Sequence, residues 1–164
     1  MTSDILSKKI LILGCGNILF GDDGFGPYVA EELQKNYKIP ENVCVINAGS
    51  SVRNILFDIA LSEKKPTKII IVDAIDDGKT PGEIVELPVE KIPENKIDDF
   101  SMHQLPTSNL LKELKDLCNV DVIIIACQIE HIPEEVTTSI SKKLTDAIPE
   151  TCKRIYEIIN SSLP

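Results

Sequence analysis

Short apolar runs alternate along the chain with segments whose apolar residues have helical spacing. Four runs are apolar on both faces and rich in β-branched residues, which predicts buried parallel strands at Ile10–Leu13, Val43–Ile46, Ile69–Val72 and Val122–Ala126. Apolar residues three to four positions apart predict helices at Tyr28–Tyr37, Val52–Leu61 and Thr107–Leu117. Strands that alternate with helices predict an α/β fold of three layers, α/β/α, around a mostly parallel central sheet with right-handed crossovers.

Three further segments complete the predicted architecture. Glu83–Leu87 alternates polar and apolar residues, as expected for an edge strand with one solvated face. Residues Pro88–Phe100 are rich in proline and charged residues and are predicted to form a surface loop. Glu134–Leu163 is predicted to be a terminal helical region interrupted at Pro149. Without an internal repeat, residues 1–164 are expected to form one domain.

The first strand is followed by a glycine-rich turn, Gly14-Cys15-Gly16-Asn17-Ile18-Leu19-Phe20-Gly21-Asp22-Asp23-Gly24-Phe25-Gly26. A strand, such a turn and a helix start often form a phosphate cradle. Here the dinucleotide fingerprint lacks its third glycine, because Leu19 stands in that place, and no Gly-Lys-Ser/Thr phosphate loop is present. The turn ends instead in Asp22 and Asp23, two carboxylates that repel phosphate and suit a cation.

Composition narrows the range of functions. The formal net charge of −9, with scattered lysines, argues against binding to nucleic acid, which requires clustered Lys and Arg. Five cysteines without a Cys-x-x-Cys pair predict neither a disulfide framework nor a zinc knuckle, and favour a reducing cytosol. The N-terminus lacks a signal-peptide core, and the apolar runs are shorter than the ~20 residues that span a bilayer. The chain is therefore expected to be cytoplasmic and not associated with membranes.

Three potential metal ligands are predicted to lie at one edge of the sheet. Asp23 follows the first strand, Asp73 ends the strand Ile69–Val72, and His103 precedes the third helical segment. Ligands of open parallel sheets gather beyond the carboxyl ends of the strands. Two carboxylates and an imidazole suit a divalent transition metal.

Several of these residues also have structural interpretations. Asp23 could cap the helix that begins near Gly24, and Asp22 is expected to support Asp23. His103 alone would be typical of a helix start or a surface, and His131 is a weaker candidate for the same edge. Asp76 and Asp77 precede Gly78 and are predicted to lie in a turn.

The cysteines do not make a convincing nucleophile. Cys15 lies in the glycine-rich turn, where backbone N–H groups could lower the pKa of its thiol, but a small buried side chain explains it equally well. Cys127 ends an apolar strand and is predicted to pack in the core. No triad of nucleophile, base and orienting group can be assembled from the sequence.

With these residues identified, the chain resembles the nickel–iron hydrogenase maturation endopeptidases. The resemblance rests on a long G-x-G-N-x-L-x-x-D-D/E-x-x-G pattern, on Val72-Asp73-Ala74, on Ser101-Met102-His103 and, more loosely, on Ala126-Cys127-Gln128. The pattern is met by Gly14, Gly16, Asn17, Leu19, Asp22, Asp23 and Gly26. The resemblance implies a phosphorylase/hydrolase-like fold. Two segments depart from it: Asn47-Ala48-Gly49-Ser50 replaces an Asp-Gly-Gly type motif, and Ala126 replaces a glycine before Gln128.

The resemblance implies an endopeptidase that cuts the C-terminal extension from a hydrogenase large-subunit precursor after nickel insertion. Nickel then belongs to the substrate, and Asp23, Asp73 and His103 are its contacts. Either nickel or a carboxylate, Asp23 or Asp73 acting as general base, would activate the attacking water. The departures suggest a branch that serves an archaeal hydrogenase reducing a deazaflavin cofactor, and the protein is expected to be a monomer.

Two other functions stay open at this level. A nickel-dependent chaperone could hold the precursor without cutting it, using the same three ligands. A Rossmann-like cofactor-binding protein is disfavoured by the acidic pair and the missing third glycine. A chain in which all three ligands are merely caps and surface groups is also disfavoured, because they are predicted to share one sheet edge.

Overall fold

Five strands form one sheet in the computed structural model, which describes residues 2–89 and 107–162. The strands are β1 (Ile10–Cys15), β2 (Val43–Gly49), β3 (Lys68–Ile75), β4 (Ile84–Leu87) and β5 (Asp121–Gln128). Their order is β2-β1-β3-β5-β4, with β4 antiparallel at one edge and all other pairs parallel. The four predicted parallel strands and the predicted edge strand are confirmed.

Helices cover both faces of the sheet. The described helices are α1 (Thr2–Leu6), α2 (Phe25–Asn36), α3 (Val52–Leu61), α4 (Thr107–Cys118) and α5 (Lys142–Ser162). One core cluster joins α2 and α5 to alternate residues of the strands, and the other joins α3 and α4 to the intervening ones. Because successive strand residues point to opposite faces, each strand contributes side chains to both core clusters. The predicted three-layer α/β/α fold is confirmed.

The glycines of the β1–α2 connection permit unusually close packing. A Cβ on Gly26 would lie 2.2 Å from the carbonyl oxygen of Cys15 and 2.4 Å from that of Val72. A Cβ on Gly14 would lie 2.3 Å from the carbonyl oxygen of Gly26. The first turn of α2 therefore rests directly on the backbones of β1 and β3, which excludes any side chain at these positions. The glycine pattern serves helix packing in this chain.

Two features of the predicted terminal helical region, Glu134–Leu163, are wrong: the helix starts later than Glu134, and it is not interrupted at Pro149. Residues 134–141 are not helical, because Thr137 exchanges backbone hydrogen bonds with the β1–α2 connection and the N–H of Ser141 bonds to Asp22. Helix α5 then continues through Pro149, whose side of the helix is exposed. Burial of α5 residues such as Leu144 and Ile155, worth about 1.5–3 kcal/mol each, outweighs the cost of an interior proline, about 3 kcal/mol.

Two regions of the chain complete the comparison with the predicted elements. Helix α1 was not predicted, and its Ile5 and Leu6 pack against the α3/α4 core. Of the predicted surface loop Pro88–Phe100, only Pro88 and Val89 lie within the described residues, and Val89 is buried in that same core. Among the residues that the structure describes, no helix combines the length and apolar character needed to span a membrane.

Candidate active site

Asp23 and Asp73 meet around Gly16 at the carboxyl edge of the sheet. A Cβ on Gly16 would lie 1.9 Å from the backbone carbonyl oxygen of Asp23 and 3.6 Å from Oδ1 of Asp73. Gly16 also has a φ of 132°, in a region that L side chains rarely adopt. Both aspartates are buried, at 4% and 8% exposure. Two residues that are 50 positions apart are thus brought to one point, as predicted, and only glycine fits between them.

Asp73 lies inside β3, because that strand continues to Ile75 by pairing with β5. The prediction that Asp73 ends its strand is therefore wrong. On the other side, pairing between β1 and β3 stops at Gly14 and Val72. Asp73 is the first β3 residue beyond that last pair, so it borders the opening where β1 turns away. Its Oδ1 accepts a hydrogen bond of 2.8 Å from the N–H of Ala74, which orients the carboxylate.

Asp23 is not the N-cap of α2. Gly24 occupies the N-cap position and provides no side-chain hydrogen bond to the helix. The Asp23 carboxylate turns back instead, and its Oδ2 accepts a hydrogen bond of 2.9 Å from the N–H of Asn17. This bond closes the 17–23 turn around the carboxylate and fixes its position relative to Gly16.

His103, the third predicted ligand, lies outside the described residues. Within residues 2–89 and 107–162, no three His, Cys, Asp or Glu side chains form a group that could hold a metal ion. The described part of the site therefore supplies carboxylates, Asp23 and Asp73. Their role as metal contacts, and that of His103, stays a prediction.

Asp22 anchors a different part of the chain from the one predicted. Its Oδ1 accepts a hydrogen bond of 2.7 Å from the N–H of Ser141, and its Oδ2 accepts bonds from the Ser141 hydroxyl at 3.1 Å and the N–H of Glu130 at 2.9 Å. A longer contact of 3.4 Å comes from the N–H of His131. The carboxylate is 2% exposed. Asp22 thus holds the β5–α5 loop, residues 129–141, against the turn that carries Asp23.

Gln128 organises the turn between β3 and β4, a role that the sequence did not reveal. Its Oε1 accepts hydrogen bonds from the N–H groups of Asp77 and Lys79, at 2.8 and 3.2 Å. Its Nε2 donates to Asp76 Oδ1 and to the carbonyl oxygen of Ile129, both at 3.1 Å. Gln128 is 4% exposed, so its amide is sheltered from water, although its partners in the turn are exposed. The prediction that Asp76 and Asp77 belong to a turn is confirmed.

A cleft of about 200 Å³ opens beside Gly16. Its walls come from the β1–α2 connection and from the end of β2, with the lining residues Gly16, Asn17, Ile18, Pro27, Asn47, Gly49 and Ser50. Asn47, which stands where the resemblance would place a carboxylate, is exposed within it. This wall of the cleft is therefore polar and uncharged.

The thiols nearest the site are protonated. Burial raises the pKa of Cys15 well above its usual value, and the negative charge of Asp73 raises it further. Burial, followed by the charge of Asp22, raises the pKa of Cys127 to about 12. All five cysteines are free thiols. A thiol that stays protonated at neutral pH is a poor nucleophile, so Cys15 and Cys127 do not suit nucleophilic catalysis.

The fold and the site define an α/β protein whose carboxylates lie at the carboxyl edge of a parallel sheet. Comparison with known proteins then gives the family: a model described as hydrogenase maturation protease matches residues 27–158. The chain belongs to the hydrogenase maturation proteases, which is the family that the sequence resembles, and it is accordingly a peptidase. The Rossmann-like alternative finds no support in this family.

Relatives agree over nearly the whole length of the chain. A protein of Methanocaldococcus jannaschii named "Putative hydrogenase maturation protease" is 39% identical over 93% of this chain and 94% of its own. The coenzyme F420 hydrogenase subunit delta of Methanothermobacter thermautotrophicus is 35% identical over 94% of this chain and 96% of its own. The solution structure of the endopeptidase HycI from Escherichia coli superposes with a TM-score of 0.71, at 30% identity over 88% and 87% of the two chains.

Proposed function

We propose that this protein removes the C-terminal extension of a nickel–iron hydrogenase large-subunit precursor and acts only after nickel has been inserted. The observation that carries the proposal is the convergence of Asp23 and Asp73 on Gly16 in a hydrogenase maturation protease. Residues 1–164 would act as one domain of this kind. A cytoplasmic location agrees with five free thiols, since disulfides are rare in reducing compartments.

Nickel in this proposal is part of the substrate. Asp23, Asp73 and His103 would complete the coordination of an ion that the precursor already holds. Hard carboxylates and one imidazole bind such an ion, but they do not outcompete thiolate ligands for it. Binding of the precursor's nickel and activation of cleavage would then be a single event.

The same carboxylates can serve the hydrolysis itself. Asp23 and Asp73 each accept a hydrogen bond from a backbone N–H, so their oxygens are held in fixed directions. Either can take the proton from the water that attacks the scissile carbonyl carbon. The precursor's nickel would supply Lewis-acid polarisation at the same point. Cys15 takes no part, because its thiol remains protonated.

The substrate is best sought among coenzyme F420 hydrogenases. The support is the 35% identity with a coenzyme F420 hydrogenase subunit delta, which covers 94% of this chain. Coenzyme F420 is a deazaflavin, so this proposal agrees with the branch expected from the sequence.

The test is incubation of the purified protein with a coenzyme F420 hydrogenase large-subunit precursor, with and without inserted nickel, followed by intact-mass analysis of the precursor. Loss of a defined C-terminal peptide from the nickel-loaded form alone supports the proposal. Nickel-dependent binding without any mass change would identify a chaperone instead. Removal of the peptide from both forms would refute metal recognition.

Charge-neutral variants test the two carboxylates. Asp23→Asn and Asp73→Asn keep the size of the side chain but remove the charge, and we expect each to lower the cleavage rate by about 100-fold or more. Asp58→Asn, an exposed aspartate on α3, is the matched control and should cleave normally. Thermal unfolding verifies that all three variants are folded. Normal cleavage by either site variant would remove that carboxylate from the mechanism.

A further inference from the structure

Four exposed apolar side chains lie on two loops at the carboxyl edge of the sheet, the edge that also carries the candidate active site. Ile18 and Leu19, on the connection after β1, are 41% and 45% exposed, and Ile132 and Val136, on the loop after β5, are 43% and 66% exposed. Together these four side chains are called the apolar patch. Among the described residues, seven large apolar side chains are exposed, and four of them lie on these two loops. Exposed apolar side chains that are grouped and rimmed by polar residues are typical of surfaces that contact other proteins.

The two loops form one surface. The N–H of Thr137 donates to the carbonyl oxygen of Leu19 at 2.8 Å, and the N–H of Gly21 donates to the carbonyl oxygen of Thr137 at 2.9 Å. Asp22 adds its bonds to Glu130 and Ser141. The patch is therefore held by backbone hydrogen bonds and one buried carboxylate, so it is presented in a fixed shape.

The strand order places the apolar patch at the same edge of the sheet as Asp73. Strands β1 and β5 flank β3 on its two sides, and the loops that carry the patch leave their carboxyl ends. Asp73 lies near the same end of β3. A polypeptide bound across the patch is consequently held at the sheet edge that carries the carboxylates proposed to cut it.

The border of the patch is acidic. Glu130, Glu134 and Glu135 are exposed on the β5–α5 loop, and within the described part of the chain none of them forms an ion pair. These three residues are called the glutamate border. Neither residues 14–24 nor residues 129–141 contain a lysine or an arginine. Unopposed carboxylates around apolar side chains complement a partner segment in which apolar residues alternate with basic ones.

We infer that the apolar patch and the glutamate border are the docking surface for the large-subunit precursor, and that they bind a segment carrying apolar side chains flanked by lysine or arginine. The inference rests on the proposed function and adds the means by which the precursor is captured before cleavage. The border would speed encounter through its charge, and the patch would hold the bound segment by burying apolar area.

Variants of the glutamate border and of the apolar patch are compared for cleavage of the nickel-loaded coenzyme F420 hydrogenase precursor. In the first, Glu130, Glu134 and Glu135 are all changed to lysine; in the second, Leu19→Asp is combined with V136D. At a salt concentration of about 50 mM, we expect kcat/KM to fall at least about tenfold in each, through KM, with kcat nearly unchanged. Raising the salt to about 300 mM should slow the wild-type protein but not the lysine variant.

Matched controls come from the opposite edge of the sheet. Leu61, 84% exposed, lies at the end of α3, which runs back from the carboxyl edge, and Glu63 is exposed just beyond it. Leu61→Asp and Glu63→Lys should cleave within about twofold of wild type. Thermal unfolding establishes that every variant is folded.

The outcomes separate this inference from the proposed function. Cleavage by both patch and border variants at the wild-type kcat/KM overturns the docking surface and leaves the peptidase proposal standing. If the wild-type protein binds the precursor without cutting it, and the variants lose that binding in sedimentation velocity, docking is supported and the peptidase proposal fails. A wild-type dimer that the patch variant converts to monomer identifies a second copy as the occupant and overturns the inference. A wild-type protein that neither cuts nor binds overturns both.

Discussion

Two adjacent aspartates have separate roles in this protein. The Asp22 carboxylate binds the β5–α5 loop through Glu130 and Ser141, whereas the Asp23 carboxylate binds Asn17 within its own turn. The sequence revealed that both belong to one turn, but not that their carboxylates bind different parts of the chain. The partners of Asp22 lie more than a hundred positions away, so no local pattern points to them.

Substitution of Asp22 tests the anchor. Asp22→Asn retains one acceptor oxygen and turns an amide NH₂ toward buried N–H donors, so we expect the free energy of unfolding to fall by about 2–4 kcal/mol. Ser141→Ala removes only the hydroxyl bond and should cost about 1 kcal/mol. Urea unfolding gives both values. A loss below about 0.5 kcal/mol for the Asn variant would contradict the anchoring role.

At the residue scale, the sequence was sufficient to identify site residues whose position relative to a predicted strand places them at the edge of the sheet. Asp23 and Asp73 could be predicted because Asp23 lies in the turn that follows one apolar run and Asp73 directly follows another. Capping by Asp23 was predicted as an alternative and is wrong, since the Asn17 N–H takes its carboxylate. The network of Gln128 escaped prediction because its partners in the β3–β4 turn lie about 50 positions away along the chain.

Contact between α2 and the sheet depends on the absence of two side chains. Gly26→Ala would put a methyl group 2.2 and 2.4 Å from two backbone oxygens, neither of which can move without disturbing β1 or β3. We expect a loss of about 3 kcal/mol or more in unfolding free energy. Gly78→Ala is the control: its φ is 67°, but nothing lies within 4 Å of the new methyl group. That variant should lose only about 1–2 kcal/mol, and equal losses would rule out close packing as the cause.

Proline in the middle of α5 is a cost that the helix tolerates. Pro149 is exposed and lacks the N–H that would bond to the turn before it. Pro149→Ala should raise the free energy of unfolding by about 1–3 kcal/mol and leave cleavage unchanged, because α5 packs away from the Asp73 face. Thermal melting measures the gain. A lower melting temperature would mean that the proline fits a bend on which the packing depends.

At the element scale, the apolar pattern reliably predicted which strands are present, but it did not predict where strands and helices begin and end. Strands β1, β2, β3 and β5 all extend beyond their predicted cores because pairing, not composition, decides where a strand stops. Helix α5 begins at Lys142, eight residues later than predicted. The delay arises because residues 134–141 use their backbone groups on the β1–α2 connection, a contact that no local propensity encodes.

Buried thiols couple the stability of the whole molecule to alkaline pH. Burial raises the pKa values of Cys127 and Cys152 to about 12, from an ordinary value near 9, aided by the charges of Asp22 and Glu32 respectively. The folded protein keeps these protons over a range where the unfolded chain loses them. The stabilisation that these protonated thiols provide is therefore fully present below about pH 9, and it declines as the pH rises toward about 12.

Unfolding by urea under reducing conditions, at several values from about pH 8 to about pH 11, measures this decline. Each thiol contributes a slope of up to about 1.4 kcal/mol per pH unit. The double variant Cys127→Ala, Cys152→Ala should show a shallower decline, whatever its stability at neutral pH. Identical slopes in the two proteins would assign the alkaline loss to other groups.

The anchoring of Asp22 also imposes an order on synthesis. The turn that bears Asp23 is translated before the donors that stabilise it, which belong to residues 130–141, more than a hundred positions later. Loop closure over such a separation is slow compared with local folding. A nascent chain that has not yet reached residue 141 therefore lacks the contacts that fix this edge of the sheet.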